Sequence, residues 1–183
     1  MSAAEMSNKA QLFLTRGVIA VVWAVVFAAA SDSLTVGVGV LLVLYPLLDV
    51  IASLIDARHA ESSARTVLLA NAAFSTAAAI ALGIAATGSV ADVIGVFGLW
   101  AFVSGAAQIV TALRRRAQLG NQWPMFLAGG VSVIAGLLYI INAVNGDPHL
   151  RALAIYAAGG GIEFIIQSWL VVRRRRHGLV VAA

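Results

Sequence analysis

Apolar residues in this chain fall into six long stretches, which short polar segments separate. Each stretch has about 20 residues, the length that an α-helix needs to cross the roughly 30 Å hydrocarbon core of a bilayer. The pattern therefore predicts six transmembrane helices. The expected spans are Leu12–Ala30, Thr35–Ile55, Thr66–Ala86, Val90–Leu113, Pro124–Val144 and Leu150–Val172.

The pattern also recurs along the chain. Tyr45, Trp100 and Tyr156 stand about 56 residues apart, each within a stretch that runs on to arginine. Phe13–Val18 resembles Phe126–Val131 in the same way. This repetition predicts an all-α integral membrane protein with six transmembrane helices arranged as three repeated helical hairpins, all within one transmembrane domain. That domain covers residues 1–183, and its repeats are expected at approximately 12–58, 66–116 and 124–176.

Composition supports a lipid environment. The chain is 61% hydrophobic and 11% charged, whereas soluble domains carry about 25% charged residues. A soluble protein of this size could not hide so much apolar surface, so the expected partner is the lipid bilayer. The net charge of +4 is concentrated at predicted helix ends, a topology signal rather than a sign of nucleic-acid binding.

The basic residues also predict an orientation. Eleven of the twelve fall on one side of the predicted bundle, and only Arg151 falls on the other. Positive residues concentrate in cytoplasmic loops, so both termini are expected in the cytoplasm. The eleven are Lys9, Arg16, Arg58, Arg65, Arg114, Arg115, Arg116, Arg173, Arg174, Arg175 and Arg176.

Arg16 and Asp49 are a candidate intramembrane ion pair. Their depths overlap in adjacent antiparallel spans, and the other predicted hairpins carry no charge at the matching positions. A charge within the membrane is costly unless it has a partner, water or a proton. The pair either fixes the helix register or forms a proton or ion site.

Glu163 is the second acid placed well inside a span, and we expect it nearer the middle of the bilayer. No basic residue is expected at its depth, so the protonated, neutral form costs less. Thr76 and Ser132 are expected at a similar depth as hydrogen-bonding partners of a polar core. Glu163 is therefore either a proton-binding carboxylate or a neutral hydrogen-bond donor between helices.

Glycines mark candidate helix-packing positions. Gly130, Gly136 and the triplet Gly159, Gly160 and Gly161 would let helices approach closely. The role of these glycines is packing within the bundle, a hinge, or homo-oligomerisation through a glycine-rich face.

Acids recur in the short turns opposite the arginine-rich end. Asp32, Asp92 and Asp147 each stand near the start of a predicted span. They are expected to cap these helices, with a ring of acids that attracts cations as the alternative.

Motifs of enzymes, cofactors and metal sites are absent from the sequence. His59, His149 and His177 fall on different sides of the predicted membrane, so they do not converge on a metal, and there is no nucleophile elbow or phosphate-binding loop. We therefore expect a protein that is not an enzyme and holds no cofactor.

Three segments resemble the HdeD-like acid-resistance membrane proteins. They are Arg16–Ala20, Leu44–Asp49 and Leu99–Gly105 with the following Gln108–Val110. The resemblance implies a six-span protein of the bacterial inner membrane that is linked to acid or other stress, in a family with no established enzymatic activity. For this chain we expect a non-enzymatic protein involved in acid or envelope stress tolerance. Two alternatives stay open: a small proton, ion or solute transporter or channel that uses Asp49 and Glu163, and a membrane scaffold or assembly partner.

Overall fold

The computed structural model describes residues 3–119, 123–146 and 148–181, and this part of the chain is helical without strands. Long apolar runs explain the helices, and α2 continues through the buried Pro46. Polar or glycine-containing segments separate them. The helices are α1 (Ala3–Ala30), α2 (Val36–Ala57), α3 (Ser62–Ala85), α4 (Val90–Leu119), α5 (Trp123–Asn145) and α6 (Arg151–Val181).

All six helices are long and apolar enough to cross a membrane. Large apolar side chains point outward along them, among them Val25, Ile84 and Ile155. Such a surface is stable against hydrocarbon and unfavourable against water. The expected fold class of an all-helical membrane protein is therefore confirmed.

Neighbouring helices run antiparallel, but the most extensive contacts do not lie within the predicted hairpins. Helix α1 packs along α6, α2 along α3, and α4 along α5. Helices α3 and α4 are in secondary contact, while α1 touches α2 and α5 touches α6 only sparsely. Residues 31–35, 86–89, 146 and 148–150 lie at one end of the bundle, called the turn end below. The opposite end is called the terminal end.

Glycines bring the backbones of α4 and α5 into contact at two levels. A Cβ atom added to Gly136 would lie 2.5 Å from the backbone nitrogen of Phe102, and one added to Gly98 would lie 2.8 Å from the Gly136 oxygen. Gly105 and Gly129 meet in the same way one to two turns closer to the terminal end, with 2.7 Å between an added Cβ and the opposite oxygen. Any side chain at these positions would force the helices apart.

Glycines also bring the backbones of α1 and α6 into contact. A Cβ atom on Gly17 would lie 2.7 Å from the oxygen of Gly161, which itself packs against Gly17 and Val21. Gly161 stands one repeat length after Gly105, and Gly17 two repeat lengths before Gly129. The packing role expected for Gly161 and Gly136 is therefore observed, but Gly17 was not among the expected packing residues.

The other three glycines do not pack against helices. A Cβ atom on Gly130 or Gly159 would meet nothing within 4 Å, and one on Gly160 would come no closer than 3.9 Å to the Tyr45 hydroxyl. The expectation for these three was wrong, because glycines next to each other in a helix point in different directions. In the triplet, only Gly161 faces α1.

The turn-end acids have different roles. Asp92 forms a capping box with Ser89 at the start of α4, as its spacing predicts: the Ser89 hydroxyl accepts from the Asp92 N–H, and the Asp92 carboxylate accepts from the Ser89 N–H. Asp32 is not a cap: it pairs with Arg151 at 2.6 Å, and Thr35 caps α2 instead. Asp147 lies outside the described residues.

Alanine at position 136 tests the backbone contact between α4 and α5. We expect Gly136→Ala to lower the stability of the protein by about 1–3 kcal/mol, the usual cost of overpacking, because the added methyl meets backbone atoms. Gly130→Ala is the matched control on the same helix and should leave stability unchanged or slightly raised. Unfolding in detergent micelles, followed by circular dichroism, measures both. Equal stability of the two variants would contradict the close approach.

Candidate ligand-binding cavity

A cavity of about 640 Å³ lies between the helices in the half of the bundle nearer the terminal end. All six helices contribute to its walls, which are largely aliphatic with a limited number of polar side chains. Its volume is within the range of small-molecule sites. The polar side chains include Arg16, Asp49 and Glu163, so the cavity contains the three ionisable residues that the sequence singled out.

An aromatic cluster closes the cavity toward the turn end. Tyr45, Trp100 and Tyr156 line its inner limit, and Phe97 packs edge-on against Trp100 and Tyr156 with ring centroids 5.1 and 5.4 Å apart. Beyond this layer the core is filled by side chains from α1, α2, α3, α4 and α6. Among the described residues the cavity therefore has no opening at the turn end.

The predicted partners Arg16 and Asp49 are in contact. Nη2 of Arg16 donates to Oδ1 of Asp49 at 2.8 Å, which links α1 to α2 where these helices otherwise touch little. The guanidinium also lies 4.3 Å from the ring centroid of Phe164 on α6. Arg16 therefore has an electrostatic partner on one side and an aromatic partner on the other.

Asp49 is the centre of a wider hydrogen-bond network. Its Oδ2 atom accepts from the Asn71 amide at 2.7 Å and from the Ser75 hydroxyl at 2.9 Å. The indole N–H of Trp100 in turn donates to Ser75 at 3.0 Å. One carboxylate thus connects α1, α2 and α3, and α4 through Ser75. Sequence reasoning missed Ser75, although its spacing of four residues from Asn71 puts both on one helix face.

Glu163 does not contact the partners that were expected. Its carboxylate accepts a hydrogen bond from Gln167, one turn later on the same helix. Thr76 donates to the carbonyl of Ala72 in its own helix. Ser132 accepts instead from the hydroxyl of Tyr156. Depth along a span does not give the direction of a side chain, which is why the expectation for Thr76 and Ser132 was wrong.

The expectation that no basic residue shares the depth of Glu163 was also wrong. The antiparallel contact of Gly17 with Gly161 and Ile165 puts Arg16 level with Glu163. Its positive charge is in range to act on the Glu163 carboxyl. The error arose because depth was counted from the ends of the predicted spans, whereas the glycine contacts between α1 and α6 set the level of Arg16 against Glu163.

Two buried polar atoms of the cavity wall have no hydrogen-bonding partner among the described residues. They are Oδ1 of Asn71 and Oγ of Ser104. Buried polar atoms are nearly always satisfied by protein, water or a bound molecule. The cavity therefore offers unused hydrogen-bonding capacity to whatever occupies it.

A second ion pair lies at the end of the cavity nearer the terminal end, where Asp56 lines the wall. Nη1 of Arg115 on α4 donates to Oδ2 of Asp56 on α2 at 2.9 Å, and Arg115 is 6% exposed. The neighbouring Arg114 donates to the backbone oxygen of Ser63 at 2.6 Å. Sequence reasoning treated these arginines only as topology signals. The pairing of α2 with α3 and the contact of α3 with α4 bring Asp56 within their reach, and neither is encoded locally.

Six apolar helices around this cavity define a multi-pass membrane protein. Residues 77–141 match a family model described as a short repeat of unknown function (DUF308). The matched segment begins within α3 and ends within α5, so it contains most of the tightly packed α4–α5 pair. No curated protein and no solved structure matches the chain at a significant level.

A double-mutant cycle tests the ion pair of the cavity. Arg16→Met or Asp49→Asn alone should lower the free energy of unfolding by about 3 kcal/mol, because each leaves a partly buried polar group without its partner. The double variant should cost clearly less than the sum of the two. Unfolding in detergent micelles gives all three values. Simple additivity would show that the 2.8 Å contact contributes no coupling.

Proposed function

We propose that the protein is a non-enzymatic, multi-pass protein of the bacterial inner membrane that binds a small amphipathic molecule in its cavity and contributes to tolerance of acid or envelope stress. One observation carries the binding role: a cavity of about 640 Å³ combines aliphatic walls with a few ionisable side chains and is closed at the turn end. Binding sites for small molecules have this composition.

The proposed stress role and the proposed location in the inner membrane rest on other observations than the binding role does. The resemblance to the HdeD-like proteins implies both, and these proteins belong to the repeat family whose model matches residues 77–141. The basic residues favour a cytoplasmic terminal end, so the cavity would face the cytoplasm. Labelling of a Ser63→Cys variant by an impermeant reagent from outside the cell would contradict that orientation.

A transporter of protons, ions or small solutes is the second candidate. The presence of Arg16, Asp49 and Glu163 in one cavity favours it, since ionisable groups within a membrane commonly mark transport pathways. Transport would require the layer of Tyr45 and Trp100 to open, together with the packed core beyond it. A one-ended binding site needs no such movement and is therefore the preferred function.

A scaffold has less support. Gly136 and Gly161, which could have bound a partner helix, contact α4 and α1 of the same chain. The remaining candidate glycines do not form one continuous face, because Gly159 and Gly160 line the cavity while Gly130 does not.

Flux through purified protein separates binding from transport. In liposomes with a proton or potassium gradient, we expect no flux above that of empty liposomes, because the aromatic layer and the core beyond it fill the turn-end half. A pH-sensitive dye and a potassium electrode measure it. Flux that depends on the protein and is lost in Glu163→Gln would contradict the one-ended site and support the transporter.

Survival of acid shock tests the stress role. A strain of the host bacterium that lacks the gene should survive less well, and wild-type protein should restore survival. We expect Glu163→Gln to fail in this assay, whereas Asp92→Asn should succeed because Asp92 lies outside the cavity and an asparagine also caps helices. Equal survival with and without the gene, under acid and under envelope stress, would exclude the role.

A further inference from the structure

The positive and negative side chains of the cavity are not equal in number when all of them are ionised. Arg16 is matched by Asp49, and Arg115 by Asp56. Glu163 accepts a hydrogen bond from the neutral Gln167 and forms no ion pair with any described residue. When Glu163 is ionised, the described residues of the cavity therefore carry one negative charge beyond their ion pairs. A ligand with one positive charge would complete the balance.

The part of the wall that α6 forms between Glu163 and the aromatic layer is glycine backbone. Tyr156 stands two turns before Glu163 on the same helix face, a separation of about 10 Å. Gly159 and Gly160 lie between them and line the cavity, and Cβ atoms there would meet nothing closer than the Tyr45 hydroxyl at 3.9 Å. This leaves room for the body of a ligand whose charge lies at Glu163.

Aromatic rings end this space. The centroids of Tyr45 and Tyr156 lie 5.6 and 6.3 Å from that of Trp100, and all three residues line the cavity. Aromatic rings accept apolar groups, and their faces also attract cations. The unpartnered Ser104 hydroxyl and Asn71 oxygen add acceptors in the same wall.

Arg16 does not turn the site into an anion site. Its guanidinium donates to Asp49 at 2.8 Å and lies over Phe164 at 4.3 Å, so its strongest interactions are already made within the protein. An anionic ligand would have to compete with Asp49 for Arg16 and would also face the charge of Glu163.

We propose that the cavity binds a monovalent organic cation with an apolar body, its positive charge at Glu163 and its body against Tyr45, Trp100 and Tyr156. The class includes amines and quaternary ammonium or phosphonium compounds. This inference rests on the proposed binding role and adds the sign of the charge, the position of the charge and the direction of the body.

Tetraphenylphosphonium and tetraphenylborate test the sign, since they share a shape and differ in charge. Each is titrated into the protein in nanodiscs of zwitterionic lipid, with empty nanodiscs as the correction for partition into lipid. Fluorescence of the tryptophans reports occupancy, because Trp100 lines the cavity. Equilibrium dialysis gives the affinity independently. Saturable binding of the phosphonium, at least about tenfold tighter than that of the borate, is expected.

Two pairs of variants locate the site. Glu163→Gln should weaken phosphonium binding about tenfold or more, whereas Asp92→Asn should leave it unchanged. Gly160→Leu should abolish binding by filling the cavity, whereas Gly130→Leu should not, because position 130 is open but lies outside the cavity wall. Circular dichroism and gel filtration check folding. If Glu163→Gln does not fold, the two leucine variants test whether binding occurs in this cavity, and the preference for the phosphonium over the borate tests the sign of the charge.

The outcomes separate the two levels of the proposal. Saturable binding of the borate that Gly160→Leu removes would retain a binding cavity and overturn the cation. Phosphonium binding that is unaffected by Glu163→Gln would overturn the position of the charge. If neither ion binds above empty nanodiscs, or if Gly160→Leu and Gly130→Leu bind alike, both the cation and this cavity as a binding site are contradicted.

Discussion

Direct contact between helix backbones is the constraint on which the bundle depends. In a bilayer, lipid tails are as apolar as leucine, so apolar helices gain little by leaving lipid for each other unless they pack closely or share polar contacts. The α1–α6 and α4–α5 pairs meet this condition with glycines at corresponding positions of the chain, Gly17 with Gly161 and Gly129 with Gly105. These contacts fix two sides of the bundle and the depth of every side chain on the four helices, including Arg16 and Glu163.

The α2–α3 pair is held in another way. The residue one repeat length before Gly105 is Asp49, and its carboxylate accepts from Asn71 and Ser75 across the interface with α3. Because Asp49 also accepts from Arg16, the same interaction connects α2 to α1, alongside the hydrogen bond that the Trp23 indole donates to the Leu41 oxygen at 2.8 Å. Sparse contact between α1 and α2 and between α5 and α6 leaves space between the three tight pairs. We attribute the cavity to this space.

Much of the fold could be predicted from the sequence, because hydrophobic length and periodicity follow directly from the bilayer. The six spans, the Arg16–Asp49 contact and the packing glycines Gly136 and Gly161 were all expected. The partners of Glu163 were not, because a one-residue error in register turns a side chain by about 100° around its helix. The pairing of α4 with α5 was not expected either: it joins residues of two predicted hairpins, and sequence spacing alone favours neighbours within a hairpin.

The same network explains why the three ionisable residues that the sequence singled out in the cavity differ in role. Arg16 and Asp49 satisfy each other and join helices that have few other contacts, so their first effect is on assembly. Glu163 joins no helices: its hydrogen bond is to Gln167 on its own helix, and Gly159 and Gly160 leave the wall beside it bare. Losing its charge therefore breaks no connection between helices. Of the three, Glu163 can gain or lose a counter-ion without disturbing the fold, which is the property that a binding residue needs.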